Sequence, residues 1–172
     1  MRRFVPAICF VLAIYMDYVL FPNVNLFGIV PDTLLAVLVS YSILRGRLPG
    51  MIVGGCLGLL TDILFGKFIG LNALLYAGCA AAAGFFYRKF YADNIIVPIA
   101  TAAICSFVKE NVMAGIVTIM GASYHYGMML ARYILPGVLI TACVCMLTHL
   151  ALKPAVIKNF NRRSDRNLRS GK

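Results

Sequence analysis

The sequence predicts an all-α integral membrane protein, a compact bundle of six transmembrane helices, and three observations carry that reading. Of 172 residues, 62% are hydrophobic and only 13% charged, with a mean hydropathy of +0.88, whereas ordinary soluble domains are about half apolar and about a quarter charged. That balance excludes a soluble globular protein. The apolar residues fall into six runs separated by turn or charge signals. At about 20 residues per crossing, six spans leave about 50 residues for tails and loops, too few for a second domain. The third observation is the alternation of lysine and arginine from one loop to the next.

The first span runs from Phe4 to Phe21 and ends at Pro22-Asn23, a pair that favours leaving a helix. Arg2 and Arg3 before an apolar run resemble a signal peptide, but no small-x-small cleavage site follows and Asp17 and Tyr18 interrupt the far end. An uncleaved span is the better reading. The second span starts at Pro31-Asp32, with proline pre-set for the first turn and an acid at the positive end of the dipole, and reaches Leu44. The remaining spans run from Leu48 to Phe65, Ile69 to Tyr87, Ile95 to Met120 and Met128 to Leu152. The second and third are short, so tilted or broken ends are expected. Residues 1–152 are thus read as the transmembrane domain and 153–172 as a basic, disordered cytoplasmic tail.

The basic residues give the orientation. Arg2, Arg3, Arg45, Arg47, Arg88, Arg162, Arg163, Arg166, Arg169, Lys89, Lys153, Lys158 and Lys172 fall on one side, whereas only Lys67 and Arg132 fall on the other and Lys109 lies within the fifth span. Both termini are therefore read as cytoplasmic. The formal net charge of +10 reports topology here rather than nucleic-acid binding. The tail reads as a topology anchor touching anionic lipid, with a docking site for a cytoplasmic partner as the alternative.

An ionisable group inside a bilayer normally faces protein or a cavity. By position along their helices, Asp17, Asp32, Asp62, Asn72, Lys109, Glu110 and Arg132 all fall in the outer half of the six spans, while the inner half offers little beyond His149. Three readings stay open for this cluster: interspan salt bridges and hydrogen bonds, a water-filled outward cavity, or a groove for a partner's helix. Lys109 and Glu110 point about 100° apart, so each is expected to pair with another helix, with Asp17 and Asp62 the candidates for Lys109.

Gly46, Gly50, Gly54 and Gly58 recur every four residues, followed by Asp62, Gly66 and Gly70 on the same spacing. Such a stripe lets helix backbones approach closely, and its natural counterpart is the small-residue run from Ala77 to Gly84. Homodimerisation is the alternative use. A four-residue period drifts about 40° per step, so the stripe winds and can meet more than one neighbour.

Little points to catalysis or cofactors. The six cysteines, Cys9, Cys56, Cys79, Cys105, Cys143 and Cys145, lie in apolar stretches without the spacing of a metal or redox motif, and read as core-filling thiols with no disulfide. Gly121-Ala122-Ser123-Tyr124 lacks the second glycine of an intramembrane serine protease, and His125 is too near to act as its base. Tyr124, His125 and Tyr126 read as an outer interfacial loop. No catalytic residue, metal ligand or cofactor is assigned.

The segments Val30-Pro31-Asp32-Thr33-Leu34-Leu35, Leu44-Arg45-Gly46-Arg47-Leu48-Pro49-Gly50, Gly58-Leu59-Leu60-Thr61-Asp62 and Gly70-Leu71-Asn72-Ala73-Leu74, in that order and spacing, resemble the bacterial rod shape-determining protein family MreD. The resemblance implies a non-enzymatic inner-membrane component of the peptidoglycan elongation machinery, working with MreC, MreB, RodA and the transpeptidase partner of RodA. Pro31, Asp32, Arg45, Gly46, Gly50, Gly58, Asp62, Gly70 and Asn72 match the family pattern. On this reading Arg45 and Arg47 fix a cytoplasmic turn, the glycines pack helices, and Asp32, Asp62 and Asn72 line the outward polar region. The family is also similar to the substrate-binding components of energy-coupling-factor transporters, small six-span proteins with an outward pocket. A small-ligand membrane receptor or transporter subunit is therefore the alternative function.

Overall fold

The computed structural model describes residues 5–21, 31–66, 69–86, 96–120, 127 and 130–170, with the backbone alone for 5, 131 and 153–170. Among them the chain forms six helices and no strand. α1 (Val5–Tyr15) passes into a π-helical turn, Met16–Leu20. α2 is Thr33–Arg45, α3 Arg47–Phe65, α4 Leu71–Gly84 and α5 Ile96–Ile119. A second π-helical turn, Leu130–Ile134, leads into α6, Leu135–Ser170.

Arg47–Phe65, Ile96–Ile119 and Arg132–Leu152 are long and apolar enough to cross a membrane, while Pro6–Leu20, Thr33–Arg45 and Leu71–Gly84 are apolar but shorter. The expectations for Pro22-Asn23, Arg2, Arg3, Lys67, Arg88 and Lys89, for Tyr124, His125 and Tyr126, and for the side chains beyond Leu152 lie outside the described residues. The backbone of α6 is helical through Ser170, a segment whose composition predicts disorder. Extending a formed helix needs only propagation, without a new nucleus.

α2 is the centre of the bundle. Leu34 to Val39 are each at most 2% exposed, so this helix is enclosed on every side, as a helix apolar all round must be. It packs against α1, α3, α4, α5 and α6. The outer surface carries many large apolar side chains: Leu48, Ile52 and Ile63 on α3, Ile104 and Val108 on α5, and Leu139 and Leu147 on α6 are all exposed. Such a surface belongs in lipid.

One residue, Gly46, joins α2 to α3. Its φ of +102° and ψ of 173° lie in a region open almost only to glycine, and its N–H donates to the Ser42 carbonyl at 2.8 Å. On either side the Arg45 guanidinium lies 5.9 Å from the centre of the Tyr41 ring and the Arg47 guanidinium 4.3 Å from that of Phe85, so both cations are held over aromatic faces. α3 and α4 then run antiparallel at close range. A Cβ at Gly58 would sit 2.7 Å from the Ala73 nitrogen, and one at Gly54 would sit 3.0 Å from the Tyr76 carbonyl oxygen. Farther along, Gly50 packs against Ser42 of α2, and Gly84 against Arg47. The glycine stripe thus meets both α4 and α2, as its winding requires. Its main counterpart is the stretch from Asn72 to Ala77, one turn earlier than the small-residue run suggests.

Candidate functional site

Thirteen residues make α2 about 20 Å long, well short of a hydrocarbon core of about 30 Å. A helix that starts inside an apolar bundle exposes its first-turn amides where no water can reach them. The chain answers with two carboxylates. Asp32 is the N-cap, and its Oδ1 accepts from the Leu35 N–H at 2.8 Å. Asp17 reaches in from the π-helical turn of the first helix and accepts from the Thr33 and Leu34 N–H groups, each at 2.8 Å. The Thr33 hydroxyl also donates to the Asp17 carboxylate. The Asp32 N–H donates to Thr141 Oγ1 of α6 at 3.0 Å, and the Ala36 N–H closes the first helical bond to the Asp32 carbonyl at 3.2 Å. Every amide from Asp32 to Ala36 therefore has an acceptor, and both acids lie at the positive end of the helix dipole.

The same Asp32 carboxylate forms a buried ion pair with Lys109 of α5 and accepts from the Tyr76 hydroxyl of α4, 3.1 Å from Oδ1 and 3.3 Å from Oδ2. Lys109 Nζ also donates to the Tyr76 oxygen at 3.4 Å and lies 3.8 Å from Glu110 Oε1. Four other helices, all but α3, thus send a group to the amino end of α2.

α3 supplies a separate cap. α4 has 14 residues, about 21 Å, and needs acceptors for the same reason. Asp62, 1% exposed, accepts through Oδ2 from the Gly70 N–H at 2.9 Å and the Ala73 N–H at 3.2 Å. In both places an acid on the preceding helix closes the first turn of a short one.

The structure brings together Asp17, Asp32, Lys109 and Glu110 from the predicted cluster. Asp62 instead caps α4, and Asn72 lies half-buried in that helix's first turn, its carbonyl 2.7 Å from where a Cβ at Gly58 would sit. Arg132 is exposed on the second π-helical turn. The partner of Lys109 is Asp32, which corrects the choice between Asp17 and Asp62: those two acids already serve backbone amides. Lys109 and Glu110 also meet each other at 3.8 Å, contrary to the expectation that each turns away, because two long side chains can bend across the 100° between them. Thr33, Tyr76 and Thr141 are functional members that sequence reasoning missed. Tyr76 stands four residues after Asn72, on the same face of one helix, which was the available signal. Thr141 gave none.

Cys143 is exposed and Cys145 buried, the two faces that a two-residue separation requires. Among the described residues no three histidine, cysteine or acidic side chains are grouped to hold a metal ion. The donors and acceptors of the cluster bond to one another and to backbone amides, an arrangement that fixes helices. No curated protein and no solved structure matches the chain. A family model does: that of the rod shape-determining protein MreD matches residues 1–157. With a match over nearly the whole sequence, the chain belongs to the MreD family of rod shape-determining membrane proteins.

Proposed function

We propose that this chain is a non-enzymatic scaffold of the bacterial cell-wall elongation machinery, spanning the cytoplasmic membrane six times with both termini in the cytoplasm. It maintains rod shape by binding MreC and, with it, MreB, RodA and the transpeptidase partner of RodA. The observation that carries this reading is the use made of the polar residues. Asp17, Asp32 and Asp62 accept from backbone amides at the starts of α2 and α4, and Lys109, Tyr76 and Thr141 tie further helices to Asp32. A bundle locked in this way offers a fixed outer surface to partners.

The alternative, a receptor or transporter subunit for a small ligand similar to the energy-coupling-factor components, is favoured by the convergence of polar groups from five helices on one point. Expression in rod-shaped cells depleted of their own MreD, with a tag for recovery in mild detergent, separates the two. The scaffold reading expects rods and recovery of MreC or the synthases. Spherical cells, together with recovery of an energy-coupling ATPase pair or a bound vitamin-like molecule, would replace it with the receptor.

A further inference from the structure

Of the carboxylates in this cluster, one is left poorly served. Asp17 has two backbone amides and a hydroxyl, and Asp32 has an amide, a phenol and the Lys109 ammonium. Glu110 meets only Lys109 among the described residues, at 3.8 Å, and its side chain is 38% exposed. Two carboxylates, Asp32 and Glu110, share one ammonium, a formal excess of one negative charge. Within Ile96–Ile119, Glu110 lies about 4 Å from the helix midpoint at 1.5 Å per residue, the depth at which an exposed carboxylate is most unfavourable in lipid. Ala103, Phe107, Met113 and Val117 share its face at helical spacing, and Phe107 and Val117 are 40% and 37% exposed.

We infer that this face of α5 docks a partner's transmembrane helix that brings a cationic side chain to Glu110. The inference rests on the scaffold reading and specifies the surface through which the scaffold binds. Charge complementarity selects the occupant: lipid tails offer the carboxylate nothing, and a second copy of this face would add another acid. A lysine or arginine at the same depth, flanked by small or apolar residues against Phe107 and Val117, balances the local charge and shields the Glu110 carboxylate from lipid.

The test uses the full chain in native membranes, with a photocrosslinking amino acid at Phe107 or Val117 and, as a control on another face, at Leu147. The expected result is an adduct from the first two positions whose partner peptide is a transmembrane helix carrying a lysine or arginine. Glu110→Lys should lower the adduct yield by at least about three- to tenfold, the range of interhelical polar contacts, and replacing that partner cation by glutamate should restore it. Glu110→Gln, which keeps the shape and removes the charge, should give an intermediate loss, guarding against simple misfolding. Adducts confined to lipid or to a second copy of the chain, or a yield unchanged by Glu110→Lys, would overturn the inference. Rescue of rod shape by the unmodified chain is scored separately, so the docking face can fail while the scaffold reading stands.

Discussion

Asp32 and Lys109, 77 positions apart in sequence, form an ion pair buried at the amino end of the central helix. The pair follows from the length of α2. A helix too short to reach the membrane surface starts in apolar surroundings, its first amides need acceptors, and a carboxylate placed there to cap it needs a cation in turn.

Removing both members of the pair should therefore cost less than the two single losses added together. Lys109→Met leaves the Asp32 carboxylate buried without its ammonium and should lower stability by about 3–5 kcal/mol. Asp32→Asn combined with Lys109→Met should fall short of the sum of the two single losses by at least about 1 kcal/mol. Denaturation of the detergent-solubilised chain, followed by circular dichroism, checks both values.

Asp17→Ala strips acceptors from the Thr33 and Leu34 amides and should destabilise by about 1–2 kcal/mol, the range for lost helix caps. Asp17→Asn keeps one carbonyl oxygen and should lose less. The same denaturation series, with Asp17→Asn compared against Asp17→Ala, reads the difference.

Two glycines make a matched test of helix packing. A Cβ at Gly58 would press on the backbone of Ala73, whereas one at Gly78 would meet nothing within 4 Å. Gly58→Ala should cost about 1–3 kcal/mol through overpacking. Gly78→Ala should be neutral or stabilise by up to about 1 kcal/mol, because alanine is the better helix former. Thermal unfolding of the two variants side by side checks the contrast.

Much of this architecture was legible in the sequence. Hydropathy set the element boundaries apart from the carboxyl end of α6, which runs on from Leu152 to Ser170; Arg45-Gly46-Arg47 marked the corner, and the four-residue glycine spacing marked the α3 face that α4 and α2 pack upon. The assignment of partners was not legible. Depth along a helix placed Asp17, Asp32 and Asp62 in one outer layer, but each acid's duty depends on which short helix begins beside it. Asp17 looked free to meet Lys109 until the π-helical turn, Met16–Leu20, aimed it at the first amides of α2. The extra residue in such a turn shifts the face a side chain points to, and no periodicity reveals it. Thr141 was hidden for a different reason: a threonine in an apolar run reads as filler until another backbone arrives beside its hydroxyl.

Asp62 offers a prediction of its own, since both of its hydrogen bonds go to the start of α4 through one oxygen. Asp62→Ala should destabilise by about 1–2 kcal/mol and Asp62→Asn by less. In cells dependent on this chain for rod shape, Asp62→Ala should reduce its steady-state level and yield rounder cells, measured by immunoblot and cell aspect ratio.

The most direct test of the acids as helix caps is amide hydrogen exchange on the full chain in lipid nanodiscs, comparing the wild type with Asp17→Ala and Asp62→Ala. If the acids are caps, protection falls locally and separately: at Thr33 and Leu34 in Asp17→Ala, and at Gly70 and Ala73 in Asp62→Ala, with the other helix start unchanged in each. Unchanged exchange at those amides, or one pattern common to both variants, would contradict it.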